Sequence, residues 1–380
     1  MTTHTPPSDT TNRSRPVSWI HIGDTHITRP GDSSDLALGQ IVGEINDVYA
    51  PAGIDFVFLP GDIADNGSAA AYRAVRAHLD RLKAPWYAIV GDHDVHERSF
   101  ANFQTYVSST LHGAFTVGDY RFLRLNAFSE PRPDAFIVDD QQLRWLEEQL
   151  QQSSARGIQA VLLLHCYPSD LKQGGTRLSE LLRRFPVLLI DMGHTHYNEI
   201  SNDGDVLYCA TRSTGQIEEG PPGYSVISID EGVVSWHFVR LGSPALVAIT
   251  HPADHRLSTT RTGVAPMSQR LAVRAKIWSS SSVKAARALL KTREVALYQR
   301  DEVLWEGVLD TVGMQEGVHR LLVTAQDSAG TQLASDIWIS LGDRPERNHS
   351  PIDQENAIGA WPERDILGTQ LGPNKNGHKW

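Results

Sequence analysis

Cysteine is nearly missing from this chain. There are two in 380 residues, Cys166 and Cys209, and they lack CxxC spacing. A thiol redox role therefore has no support, and both cysteines read as small buried hydrophobes. A basic excess is also missing: 35 Lys and Arg stand against 45 Asp and Glu, a net charge of -10. That balance disfavours a nucleic-acid or anionic-membrane surface. No apolar stretch has transmembrane length. Neither GxxxxGK[ST] nor GxGxxG falls at a strand–helix junction, so the nucleotide-cofactor folds lack support. The stretch 1–15 is rich in Thr, Ser and Pro without an apolar core, which argues against a Sec signal; Arg13 and Arg15 are not a twin-Arg pair. It reads as a disordered N-terminus, with the cytoplasm as the default location.

What is present is a recurring pairing of apolar run and metal-binding side chain. Val17-Ser18-Trp19-Ile20-His21-Ile22 leads into Asp24 and His26. Phe56-Val57-Phe58-Leu59 leads into Gly61-Asp62, and Trp86-Tyr87-Ala88-Ile89-Val90 into Gly91-Asp92-His93-Asp94. Val161-Leu162-Leu163-Leu164 leads into His165, and Val187-Leu188-Leu189-Ile190 into Gly193-His194-Thr195-His196. Short, nearly continuous apolar runs read as strands buried on both faces. Residues i and i+2 of a strand share a face. Asp24 and His26 can therefore share one ion, and so can His194 and His196, if the strand geometry persists to those positions.

Helical spacing lies between these runs. Leu36, Ile41, Ile45 and Val48 follow a cap at Ser33 or Ser34, and Tyr72, Val75, Leu79 and Leu82 follow Ser68. Leu143, Leu146 and Leu150 follow Asp139, and Leu178, Leu181 and Leu182 suggest a shorter helix. The alternation gives an α/β layered domain. Ligands at the carboxyl ends of its strands are where open α/β folds build sites. A single histidine such as His165 is more often a satisfied buried side chain than a ligand. Five such blocks in order point to a two-metal hydrolase.

The five blocks read DTH, GDIAD, GDHD, the His of LLLHCYP, and GHTH. In order and chemistry they resemble the calcineurin-like metallophosphoesterases, over about Pro16 to Gly242. The resemblance implies an α/β (α+β) fold, a β-sandwich of mixed sheets flanked by helices. It also implies two divalent or trivalent metal ions. Asp24, His26 and His196 would hold the first, Asp92, His165 and His194 the second, with Asp62 bridging. His93 would face the substrate as general acid or phosphate contact, oriented by Asp65; Asp94 has a structural alternative. Mixed imidazole and carboxylate ligands suit Mn, Fe or Zn better than Mg. Two such ions roughly 3.5–4 Å apart clamp phosphoryl oxygens and generate hydroxide from water, which attacks phosphorus in line.

Asp92 stands where the family usually has Asn. An Asn amide is neutral and can donate to phosphate, whereas a carboxylate adds negative charge and offers no donor. Four readings stay open: weaker phosphate binding, a harder or more highly charged metal, a preference for a less negative substrate such as a diester, or a tolerated ligand swap. Arg212 is a candidate phosphate contact and Tyr167 a candidate pocket residue; structural and packing roles compete for both. His21 belongs to its strand and reads as core or as support for a ligand. The GDIADNG sequence lacks the Arg of the phosphoprotein phosphatase pattern GDxVDRG. Blocks ending in GHTH look more like the phosphodiesterase branch. The expected function is metal-dependent hydrolysis of a small phosphate diester; the alternatives are a phosphomonoesterase and a noncatalytic metal-binding scaffold.

The remainder reads differently. Residues 243–265 look like a linker. In 266–342, Leu271, Val273, Ala275 and Ile277 alternate, as do Leu321, Val323 and Ala325, and Ile337, Ile339 and Leu341. This suggests a smaller all-β domain of Ig or fibronectin type, although Val283 to Leu290 also has helical spacing. The tail 343–380 is polar but carries Trp361, Ile366, Leu367, Leu371 and Trp380. It is expected either to fold back over the catalytic domain or a neighbouring subunit, or to be largely disordered. A homo-oligomer through this domain or tail is a further expectation.

Overall fold

The computed structural model describes residues 15–131, 135–262, 265, 270–342 and 356–369. Of the N-terminus expected to be disordered, residues 1–14 lie outside the described residues, as do 343–355 and 370–380 of the tail.

The first part runs β1 (Val17–His21), α1 (Ser33–Glu44), β2 (Phe56–Leu59), α2 (Ala69–Leu79), β3 (Trp86–Ala88), α3 (Ala101–Tyr106), β4 (Gly113–Val117), β5 (Tyr120–Arg124) and α4 (Asp140–Ala155). It continues through β6 (Gln159–Leu163), α5 (Gly175–Arg184), β7 (Val187–Met192), β8 (Glu199–Asn202), β9 (Leu207–Ala210), β10 (Gly223–Asp230) and β11 (Val233–Arg240). The strands form two mixed sheets, ordered β11-β10-β1-β2-β3 and β4-β5-β6-β7-β9-β8.

Alternation along each strand explains the layering. Trp19, Phe56 and Phe58 meet Phe122, Val161 and Leu163 in one cluster between the sheets. Trp19 stacks on Phe56 at 5.6 Å and takes the edge of Phe122 at 5.4 Å. Their neighbours Ile20, Val57, Leu123 and Leu162 face the other way, in the cluster that holds Leu38 and Ile41 of α1 and Leu143 and Leu146 of α4. The result is a β-sandwich flanked by helices. No helix among the described residues is long and apolar enough to cross a membrane.

Helix starts follow capping chemistry. Ser68 accepts from Ala71 N, and Asp139 from Gln142 N. Helix α1 starts from Asp32 rather than from Ser33 or Ser34. The Asp32 carboxylate accepts from Asp35 N at 2.8 Å and also from Thr28 N and Arg29 N, satisfying more donors than a serine hydroxyl reaches. Leu36, placed on the helical stripe from sequence, is 65% exposed.

The second part contains β12 (Leu246–His251), β13 (Arg270–Trp278), β14 (Val283–Leu290), β15 (Arg293–Gln299), β16 (Leu304–Asp310), β17 (Gly317–Asp327) and β18 (Gln332–Leu341). All pair antiparallel, in the order β12-β13-β16-β15-β14-β17-β18, around their own apolar cluster. Two details differ from the sequence reading. The expected linker contributes β12, which pairs along β13 from Leu246 to His251. The stretch with helical spacing is β14: Ala286, Ala288 and Leu290 are buried at strand period, and pairing with β15 and β17 overrides local propensity.

The tail segment 356–369 folds back. Ala357 bridges Ser201, and Trp361 and Ile366 are buried in the cluster between the sandwich sheets.

Candidate metal centre

All five blocks emerge at the carboxyl ends of β1, β2, β3, β6 and β7. The proposed ligands themselves lie beyond the strand ends, so the i, i+2 argument does not apply. Loops aim them instead, with backbone in the left-handed region at His26 (φ 42°), Asp62 (φ 49°), His194 (φ 67°) and His196 (φ 62°). Strain of this kind at non-glycine residues persists where the surroundings over-determine it, typically at functional sites. Two glycines permit the approach. At Gly61 (φ 112°) a Cβ would come within 2.5 Å of His165 Nδ1, and at Gly91 it would overlap the Asp62 carboxylate.

Three donor groups result; one is His26, Asp65 and His93 at the rim, and the other two share Asp62. Donor atoms of Asp62, Asp92, His165 and His194 all lie within 4.8 Å of one another, and so do those of His26, Asp62 and His196. Asp62 belongs to both. His26 Nε2 and His196 Nε2 stand 3.0 Å apart. His165 Nε2 is 3.1 Å from Asp92 Oδ1 and 3.5 Å from Asp62 Oδ2, and His194 Nδ1 is 3.2 Å from Asp92 Oδ1. The outer nitrogens are spoken for: His165 Nδ1 donates to Pro60 O at 2.7 Å, and His196 Nδ1 to Gln216 O at 3.2 Å. Each bond fixes a tautomer that leaves Nε2 as a ligand lone pair.

Asp24 stands outside both sets. Its Oδ1 accepts from His194 N at 3.1 Å, and its buried Oδ2 has no hydrogen-bond partner among the described residues. Burial raises its pKa. An orphaned buried carboxylate oxygen is costly unless a cation meets it. Together with the mixed imidazole and carboxylate donors, this makes the residues fit a dinuclear centre. Burial opposes charge on Asp92, but hydrogen bonds from His165 and His194 outweigh it and hold the carboxyl well below its ordinary value. Burial likewise opposes charge on His165, yet Asp62 and Asp92 push it well above the ordinary histidine value. Protons and metal therefore compete for these donors.

His93 lies at the rim, half-exposed. Its backbone N–H donates to Asp62 Oδ1 at 2.9 Å. Its Nδ1 donates to the backbone carbonyl of Asp65 at 2.8 Å, whereas the Asp65 carboxylate is 3.5 Å away. The expected orientation by Asp65 thus comes through its main chain. Burial lowers the His93 pKa, but Asp62, that carbonyl and Asp92 more than compensate, and the net direction is upward. Asp94 is structural. It accepts from Gly91 N, Ile63 N, Ala64 N and Tyr72 OH, tying two ligand loops together, and burial lifts it to about 7.

Arg212 and Tyr167 require correction. The Arg212 guanidinium is buried, donating to Pro221 O, Glu219 Oε1 and Asp365 O, with Phe238 beneath it at 4.6 Å. Those partners take up the charge expected at the substrate. Tyr167 is a core residue whose hydroxyl meets Ser201 Oγ at 3.2 Å. Sequence reasoning missed Asp191, which anchors His21 Nδ1 at 2.6 Å and Trp19 Nε1 at 2.8 Å; its signal was a lone carboxylate inside an apolar run. Phe136 was missed too. Its ring packs edge-on against His194 at 4.8 Å.

The sandwich thus brings carboxylates and imidazoles together at its strand ends as a candidate metal site. Residues 18–198 match the family model of the calcineurin-like phosphoesterases, and this part of the chain is a domain of that family. Relatives share sequence at a distance. A protein of Arcobacter nitrofigilis named as a probable glycerophosphodiester phosphodiesterase, GpdQ, is 26% identical over 197 residues, covering 47% of this chain and 71% of that protein. The 3',5'-cyclic adenosine monophosphate phosphodiesterase CpdA of Escherichia coli K12 is 26% identical over 220 residues, covering 54% and 76%. A dimetal phosphatase structure from Danio rerio superposes with a TM-score of 0.50 at 16% identity, covering 59% of this chain and 97% of that one. That likeness is one of fold.

Proposed function

We propose that the domain is a dinuclear metal-dependent phosphodiesterase acting on a small phosphate diester. Phosphoester hydrolysis rests on the two donor sets that share Asp62. The diester preference rests on charge. Asp24, Asp62 and Asp92 are carboxylates, and among the described residues no Lys or Arg pairs with any of them. Two divalent ions against three carboxylates leave formally about one positive charge, which matches a diester anion better than a doubly charged monoester. The GpdQ and CpdA relatives carry phosphodiesterase names, which agrees with this reading.

Bound metals would polarise the phosphoryl oxygens and lower the pKa of a water molecule. The protein's own part is positioning and proton delivery. His165 and His196, fixed by Pro60 O and Gln216 O, present Nε2 inward. His93, with Nδ1 committed to Asp65 O, keeps Nε2 free to protonate the leaving oxygen.

The test is turnover of bis(p-nitrophenyl) phosphate against p-nitrophenyl phosphate by metal-stripped protein reloaded with Mn²⁺. The diester is expected to be faster, and Asp92→Asn to move the ratio toward the monoester by about tenfold, equivalent to about 1.4 kcal/mol. A monoester preference in the wild type would overturn the reading. His93→Ala is expected to keep both ions and lose about 10²–10⁴ in kcat, the usual range for general acid catalysis. Loss of metal from that variant contradicts its assignment to the substrate side.

A further inference from the structure

We propose that Gln216 is a positioning residue that ties the first donor set to the His93 side of the centre; the inference rests on the metal-centre reading above. Its main chain and its side chain hold different parts of the site. The carbonyl accepts from His196 Nδ1 at 3.2 Å, which turns His196 Nε2 toward His26 Nε2. The side-chain amide donates to Asp65 Oδ1 at 2.5 Å. That same carboxylate oxygen lies 3.3 Å from His26 Nδ1 and 3.5 Å from His93 Nδ1. One residue therefore sets the tautomer of one ligand and holds the carboxylate that flanks a second ligand and the substrate-facing histidine.

The backbone supports a defined role. Gln216 has φ 37°, in the left-handed region, although it is neither Gly nor Asn. Such a conformation persists only when both flanks are fixed, and here they are. On one side, Ser213 Oγ donates to Asp24 O at 2.6 Å and Gly215 N to the same oxygen at 3.1 Å. On the other, Glu219 accepts from Asn198 N at 3.1 Å and from the Arg212 guanidinium, and its second oxygen takes the hydroxyl of Thr369. Arg212 in turn donates to Asp365 O at 2.9 Å. The folded-back tail thus braces the loop that carries Gln216, which gives Arg212 a function without contact to substrate.

The role depends on a donor at the end of a long side chain. Gln216→Lys keeps one, Gln216→Ala removes it, and Gln216→Glu replaces it with an acceptor facing the Asp65 carboxylate. All three leave the main-chain carbonyl in place. Mn²⁺ binding to the metal-stripped full chain, followed by titration calorimetry, and kcat and KM for bis(p-nitrophenyl) phosphate are the readouts. The melting temperature of the stripped protein controls for folding. Affinity for the more weakly held ion is expected to fall about tenfold in Gln216→Ala, the range for groups that orient ligands. It should fall further in Gln216→Glu and stay within about threefold of wild type in Gln216→Lys. The kcat should follow the same order with KM little changed. Variants that match wild type, or that lose affinity without regard to donor capacity, overturn the proposal. A wild type that binds no Mn²⁺ would instead sink the reading of the centre itself.

Discussion

Replacing Asp62 with asparagine is expected to empty both halves of the centre at once. Each other donor belongs to a single half: His26 and His196 to one set, and Asp92, His165 and His194 to the other. Among the described residues Asp62 alone serves both, so its loss would remove a ligand and a negative charge from each half. Asn keeps the shape of Asp and an oxygen for the His93 N–H, now accepted by Asp62 Oδ1 at 2.9 Å. The fold should therefore survive. Metal content after gel filtration, measured by plasma emission, should drop from two ions per chain to fewer than one. Turnover should fall by more than about 100-fold, the upper range for residues that merely support a ligand. The comparison variant is His194→Ala, which should retain one ion. If Asp62→Asn also keeps one ion at full occupancy, the two sets are independent and the shared-ligand assignment is wrong.

What could be read in advance follows from how local each signal is. The five blocks were legible because each follows its own apolar strand run; their grouping into two sites came from the family resemblance. The layering was legible because Trp19 and Ile20, or Phe56 and Val57, alternate between two apolar faces and demand cover on both. The aim of the donors was not legible. His26, His194 and His196 point inward through left-handed loop backbone, a conformation that strand periodicity does not encode. Arg212 misled because the partners that hold its charge, Glu219 and Asp365, lie 7 and 153 residues away. Gln216 left no trace, being an exposed loop residue whose contacts, Asp65 and His196, are 151 and 20 residues distant. The strand β12 was hidden because its pairing with β13 is set by tertiary docking, between two prolines that read as linker.

That docking supplies the second large effect, because β13 brings two buried cations to the sandwich in opposite circumstances. Arg274 Nη1 pairs with buried Asp230 Oδ1 at 2.6 Å, and Thr250 covers the other carboxylate oxygen at 2.7 Å. Lys276, fully buried, donates to two neutral oxygens, Pro16 O at 3.0 Å and Ser18 Oγ at 2.8 Å, and among the described residues has no carboxylate at ion-pair distance. Removing Arg274 leaves the Asp230 charge buried without its counter-ion, so Arg274→Met should destabilise by about 3–5 kcal/mol. Lys276→Met takes away a cation that burial already disfavours. Burial lowers the Lys276 pKa from 10.5 to about 8. The unfolded chain therefore binds more protons than the folded chain between about pH 8 and 10.5, and the stability contributed by this group rises with pH across that window. Below pH 8 both states are protonated and the full cost of burying the charge, about 3 kcal/mol, is present. Wild type should thus gain that amount between pH 8 and 10.5 relative to Lys276→Met, and Lys276→Met at pH 7 should be far milder than Arg274→Met. Urea unfolding of the three proteins at pH 7, 8, 9 and 10 measures both differences. Parallel pH profiles for wild type and Lys276→Met would show that Lys276 titrates as it does in the unfolded chain, and an unchanged midpoint in Arg274→Met would remove the ion pair from the docking surface.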